Sequence, residues 1–232
     1  MADGFDGFPK DFFAFFKELK ANNDRAWFEE NKQRYRDSVQ LPMSHFIEAM
    51  APRLAKISKN FKADPRTNGG SMFRIYRDVR FSKDKRPYKE HAACHFRHNS
   101  AKDVHAPGYY MHFGDDEVFV GGGMYMPEPP ALANIRDAIV KSPAKWKAVV
   151  GDKTLEKTFG GLGTDHVLSR PPKGYDPNHV YIEDLKKKSF FAMRDLPLKT
   201  AQSPKLLDAV TETFKATTPL MKFLCAAQGV AY

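Results

Sequence analysis

Phe8, Phe12, Phe15, Phe16 and Leu19 recur at the spacing that lines one face of an α-helix with apolar side chains. Pro9 suits the first turn, where a missing N–H costs nothing, and Asn22-Asn23 predicts the end. Asp24 then predicts the cap of a second helix with Trp27, Phe28 and Tyr35 on its ring-bearing face. Glu29, Glu30, Lys32, Arg34 and Arg36 ride along the wetter side of that helix. A third helical pattern follows Pro42 through Ile47, Met50, Leu54 and Ile57, and Pro52, lying inside it, should kink or divide it. The phenylalanine stripe reads as a core face.

The period changes after the Gly-rich punctuation at 64–70. Residues 92–98, 108–114 and 117–125, rich in Tyr, Phe and Val, predict strands, and Asp115-Asp116 predicts a tight turn making the last two a hairpin. The run Gly121-Gly122-Gly123 weakens the third strand near its end and suggests a bulge or a close backbone approach. Pro127–Pro130 opens a helix carrying Leu132, Ile135 and Ile139; Ser142-Pro143 restarts another with Trp146, Val149 and Val150, the serine as cap. After a loop at 170–177, residues 186–192 read as an edge strand. Ser203-Pro204 begins a helix on Leu206, Leu207, Val210 and Phe214, which Thr218-Pro219 breaks before Met221 and Leu224.

Helices, then antiparallel strands, then helices again predict an α+β fold in a single domain and argue against a doubly wound parallel sheet. Its parts are a helical N-terminal part at 8–60, a β-rich middle at 72–126 and a mixed, mostly helical part at 128–232. The chain has 232 residues, 42% of them hydrophobic and 13% aromatic, with 19 Phe, which excludes general disorder and suggests a core built largely from rings. Two cysteines far apart make a disulfide framework improbable and fit a reducing compartment. With an acidic start, no basic-then-apolar leader and no membrane-spanning apolar run, the expectation is a soluble, cytoplasmic protein with no membrane partner.

Charge sharpens the picture at one place. The formal net charge is +9, and between positions 74 and 89 seven Lys/Arg stand against two Asp, a net of +5. Arg74, Arg77 and Arg80 repeat every third residue, with Tyr76, Phe81 and Tyr88 interleaved. Read as a strand, 73–81 would put Arg77 on the apolar side with Phe73, Ile75, Val79 and Phe81. A guanidinium there needs a carboxylate, from Asp78 through a bend or from elsewhere, or an anionic ligand in a cleft. Read as irregular chain, the period of three gathers the arginines on one side. Either geometry places planar forks together, suited to phosphate or carboxylate, and either is equally open to internal ion pairing.

Other chemistry finds less support. There is no GxxxxGK[ST] and no GxGxxG between a strand and a helix, so neither familiar nucleotide loop is present and no cofactor is implied. His91, His95, His98, His105 and His112 cluster around Cys94. Period two puts His91 and His95 on one strand face, where a metal pair is conceivable, but no zinc spacing is met and none is expected. His95, His112 and Asp78 are the candidate proton-transfer groups. No GxSxG elbow supports a nucleophilic mechanism, and Lys186-Lys187-Lys188 reads as a solvated turn.

The run FRIYRDVRFSKDKRPYK at 73–89 resembles the signature of a widespread bacterial family described as domain of unknown function 2461. WFEENKQRY at 27–35, GYYMHF at 108–113, GGGMYMPEPPALANIR at 121–136, RPPKGYD at 170–176 and LKKKSF at 185–190 are similar to it in the same order. The chain departs from the family's Asp-His-Pro after the PKGY-like loop, reading Asp176-Pro177-Asn178-His179. The resemblance implies a single α+β domain and brings no activity, cofactor or catalytic residue.

The expectation is therefore a protein that holds a phosphate- or carboxylate-bearing small molecule. Arg74, Arg77, Arg80, Lys83, Lys85 and Lys89 would bind it, Tyr76 and Tyr88 would stack or hydrogen-bond, and Arg170 and Lys173 would close the other side. A nucleic-acid groove with aromatic platforms is the first alternative. The second is a protein-interaction domain whose basic motif serves only internal ion pairs.

Overall fold

The structure, a computed structural model, describes residues 4–100 and 106–232; His105 lies outside them. The phenylalanine stripe folds as α1 (Lys10–Ala21), with Phe12, Phe13, Phe15, Phe16 and Leu19 all buried. Asp24 caps α2 (Arg25–Glu30) by accepting the Trp27 N–H at 3.0 Å. A short α3 (Lys32–Tyr35) and a π-helical turn (Arg36–Gln40) lead into α4 (Leu41–Ile57). Of the two outcomes expected at Pro52, a kink or a division, α4 is not divided: both Pro52 and Glu48, whose carbonyl loses a helical donor, are on the exposed side, where water replaces the bond.

The sheet is an antiparallel meander, β1 (Ala92–Arg97), β2 (Gly108–Phe113), β3 (Val118–Met124) and β4 (Phe190–Asp195), in that spatial order. The β2–β3 hairpin closes through the Gly114 N–H to the Glu117 carbonyl at 2.8 Å, around the expected Asp115-Asp116 turn. Register is continuous along β3 on both sides, so the glycine run makes no bulge. The close approach is there instead: a Cβ on Gly121 or Gly123 would strike the Ala192 or Phe190 carbonyl of β4. The edge strand starts at Phe190 and not at 186, because Lys186 and Lys187 finish the turn after α8 (Ile182–Leu185), pairing with Glu183 and Asp184. Lys187 is also largely buried, so this turn is less solvated than its charge suggests.

Alternation along the strands decides the two faces. Cys94, Phe96, Tyr109, Met111, Phe113, Val118 and Val120 point into a core shared with α1, α4 and α10 (Leu206–Ala216). Phe113 is its hinge, its ring 4.6 Å from Phe8, 5.9 Å from Phe12 and 5.8 Å from Phe46. A second cluster, built around Trp146 and Phe190, joins β4 to α5 (Pro129–Lys141), α6 (Pro143–Val150), α7 (Lys153–Phe159) and α11 (Thr218–Ala227). Ser142 stands at the α6 N-cap without a side-chain capping bond, and Pro143 fills the first turn. A four-residue α9 (Leu198–Ala201) links β4 to α10, which begins two residues after Pro204; α11 follows at Thr218-Pro219. All these helices leave the opposite face of the sheet to loops and to the basic segment.

Candidate functional site

That opposite face bears His95, Gly108, Tyr110, His112, Phe119, Gly123, Phe191 and Met193. Gly108 of β2 pairs with Gly123 of β3, so two neighbouring positions project nothing. The missing side chains leave a cavity of about 400 Å3. Its floor is the backbone of Gly108, Gly122 and Gly123, and its walls are Phe73, His95, Tyr110, Phe119, Phe191 and Met193. Tyr125 and Asp165 complete the lining. Gly123 has φ +146°, a conformation that favours glycine, and a Cβ on Gly108 would collide with the His95 ring. Imidazole and glycine are therefore matched: the ring lies across the bare strand.

The wall rings stand about one ring apart. Phe73 is stacked with His95 at 6.4 Å, Tyr110 is 6.1 Å from both Phe73 and Phe119, and Tyr125 is 5.8 Å from Phe191. Gly163 packs on Phe191, its N–H bonded to the Phe191 carbonyl at 2.8 Å, which brings Asp165 to the β4 side.

The basic segment is not a regular strand. It meets β1 through an isolated bridge, Met72 to Cys94, and the Phe73 N–H reaches the Ala93 carbonyl at 2.9 Å. It then folds back on itself as a finger, with Tyr76 bridged to Tyr88, Arg77 N–H on the Pro87 carbonyl and Lys89 N–H on the Ile75 carbonyl. Arg77 finds its carboxylate on the returning leg: Nη1 lies 2.8 Å from Asp84 Oδ2, and Asp78 holds Arg80 instead, at 2.7 Å. Arg86 pairs with Asp84 and with Glu90. The Lys85 ammonium donates to the Val79 carbonyl at 3.0 Å. Three of the arginines are thus engaged by the chain's own acids, while among the described residues Arg74 and Lys83 have no acid partner.

Lys89 connects the finger to the cavity. Its ammonium stands 5.3 Å from the centroid of Phe73, the wall ring, and donates to the Arg74 carbonyl at 2.8 Å. Burial, and then repulsion from the Arg74 guanidinium, lowers its pKa. Tyr88, expected at a ligand, is buried with its face taken by Phe28, the two rings stacked at 4.1 Å; Tyr76 is exposed. Arg170 and Lys173 are exposed on their loop and do not line the cavity.

Of the candidate proton-transfer groups, only His95 lines the cavity. Asp78 is on the exposed finger, where hydrogen bonding from Arg80 lowers its pKa to about 2, so it is a fixed anion near neutrality. His112 is stacked on Phe119 at 4.3 Å and its Nε2 lies 2.9 Å from Glu117 Oε1. Burial lowers its pKa to about 4, so the imidazole is neutral at pH 7 and the contact is that of a carboxylate with a dipole. His91, on the same strand face as His95, packs its ring 4.1 Å from His112. Among the described residues no group of three or more His, Cys, Asp or Glu is arranged to hold a metal ion. His98 is a structural tie, its Nε2 2.7 Å from the Ala231 carbonyl.

Sequence reasoning missed Tyr110, Phe119, Phe191, Met193 and Asp165 as cavity residues. The signal was present in part: Gly108, Gly121 and Gly123 sit at outward positions of the strands expected there, between outward-facing rings.

A helix-backed antiparallel sheet with a cavity in its other face, edged by a basic finger, defines an α+β single-domain protein. Residues 11–223 match the family described as Conserved hypothetical protein (DUF2461), and the chain belongs to that family. No curated protein matches it. Among the described residues no helix is long and apolar enough to cross a membrane.

Proposed function

We propose that this chain binds a small, flat molecule bearing a phosphate or carboxylate, its ring in the sheet-face cavity and its acidic group at Lys89 and Arg74. The observation that carries this reading is the Lys89 ammonium over Phe73, at 5.3 Å. There an aromatic wall meets two neighbouring cations, and among the described residues neither has an acid partner. Lys89 is half-buried and pressed by Arg74, so an anion between them would relieve the repulsion and replace lost water. A volume of about 400 Å3 falls within the range of small-molecule sites, roughly 300–1,000 Å3. Asp165, on the β4 side, disfavours an anion there and favours an N–H edge of the ring, which gives the ligand a direction. The remaining finger cations, Arg77, Arg80, Lys83 and Lys85, add a field that draws anions toward the site. Two free, buried cysteines, Cys94 and Cys225, support a cytoplasmic setting.

The test is a thermal-shift panel of aromatic carboxylates and nucleoside monophosphates, each beside its neutral amide or parent nucleoside, with inorganic phosphate alone as a further arm. At least one acidic aromatic member should raise the melting temperature above its neutral analogue. Lys89→Gln should erase that difference, and Met193→Trp, which fills the cavity, should remove both effects. Inorganic phosphate matching the best aromatic acid, or Met193→Trp leaving its effect intact, would overturn the reading.

A further inference from the structure

Beyond the cavity, the finger carries two exposed rings that the small-molecule site does not use. Phe81 is 95% exposed at the tip, with the Arg80 guanidinium 5.9 Å from its ring centroid. Tyr76, at the finger's base, is 54% exposed, and Lys32 of α3, paired with Glu29 at 2.8 Å, stands within electrostatic reach of it. Lys83, Lys85 and Arg86, none of them a contact of the small molecule, are exposed along the same hairpin. Single exposed rings are ordinary. Two of them, held on a hairpin that carries a net +5, are a distinct chemical surface.

We propose that the finger is a single-stranded nucleic-acid contact, with phosphates on its lysines and arginines and bases stacked on Phe81 and Tyr76. Three observations favour this occupant. The ion pairs Arg80–Asp78 and Arg86–Asp84 are solvent-exposed, with side-chain exposures of 77%/60% and 49%/37%. Pairs of that kind contribute little in water, so a phosphate takes over a guanidinium at small cost. The Arg80 fork already lies beside a ring, the geometry in which a base adds a further stacked layer. A base has a use for both rings, whereas an anionic membrane would bury Phe81 alone and leave Tyr76 idle.

The two rings lie outside the cavity, so the test is separable from the panel above. Fluorescence anisotropy of a labelled 20-nucleotide mixed-sequence DNA and its RNA counterpart, titrated at low salt, should show binding. The log–log salt slope should be near −3.5 if about five phosphates are neutralised. Phe81→Ala, at a fully exposed position, keeps the fold and should weaken binding about 5- to 150-fold, the loss expected of one stacked base. Tyr76→Ala should act in the same direction, and Lys89→Gln, which alters the cavity rim, should do less. Vesicles of anionic phospholipid provide the competing surface. Absence of oligonucleotide binding, binding indifferent to Phe81→Ala, or vesicle binding that exceeds oligonucleotide binding would each overturn the proposal.

Discussion

Lys89 holds its ammonium 5.3 Å from the centre of the Phe73 ring, and Phe73 is a wall of the cavity in the uncovered face of the sheet. The two residues belong to opposite ends of the basic segment, and they meet because the finger folds back on itself. Cation, ring and cavity are thus one feature, and several consequences of it can be measured.

The His95–Gly108 fit is the first. A Cβ at Gly108 collides with the imidazole, so Gly108→Ala must displace the ring or the strand. We predict a loss of roughly 1–3 kcal/mol in urea unfolding, the usual cost of overpacking. In a His95→Ala background the same substitution should cost much less, because the obstructing ring is gone. Equal costs in the two backgrounds would refute the steric account.

The Arg77–Asp84 pair ties the two legs of the finger together at 2.8 Å. Arg77→Ala should leave the global unfolding midpoint near that of the parent, since the pair lies outside both core clusters. It should accelerate proteolytic cleavage within 78–86, as local opening becomes easier. Global unfolding at room temperature would mean that this arginine supports the core.

Acid should weaken the fold through two imidazoles, His112 buried and His91 half-buried. Burial lowers the pKa of both His91 and His112 to about 4, and at His91 the neighbouring His112 and Lys89 add to it. Their ordinary value is near 6.5, so as pH falls the unfolded chain binds protons before the folded one does. Stability should therefore decline from about pH 6.5 toward pH 4 and stop changing on their account below that. The double variant H91Q/H112Q should show a shallower decline in urea midpoint over this window. An unchanged decline would place the acid sensitivity elsewhere.

Phe113 joins the sheet to α1 and α4 through its contacts with Phe8, Phe12 and Phe46. Phe113→Ala should cost about 3–5 kcal/mol, the range for removing a fully buried ring. A cost below about 1 kcal/mol, less than even an Ile→Val change often brings, would show that the ring cluster closes over the gap.

The helices and strands were legible because each long element carries its own period: the Phe12–Leu19 stripe, Leu206–Phe214, and the alternation through 92–98 and 108–113. The short α3, α7, α8 and α9 carry too few turns to show one. Pro52 leaves α4 undivided although proline strongly disfavours a helix interior, because burial of Met50 and Leu54 on the other side holds the helix together. Read as a strand, 73–81 leaves Arg77 needing either a carboxylate or an anionic ligand; the segment is not a regular strand, and the carboxylate is the outcome found. Its partner, Asp84, was not legible, since that depends on where the chain turns. The cavity was hidden for the same kind of reason: it depends on Gly108 facing Gly123 across a strand boundary, and on Lys89 returning to Phe73.

A crystal structure of the protein soaked with 1-naphthoate tests the central claim most directly. The account predicts the naphthalene ring between Phe73, Tyr110 and Phe191, with its carboxylate within hydrogen-bonding distance of Lys89 Nζ or the Arg74 guanidinium. A cavity left empty beside naphthoate bound elsewhere, or a carboxylate turned toward Asp165, would contradict it.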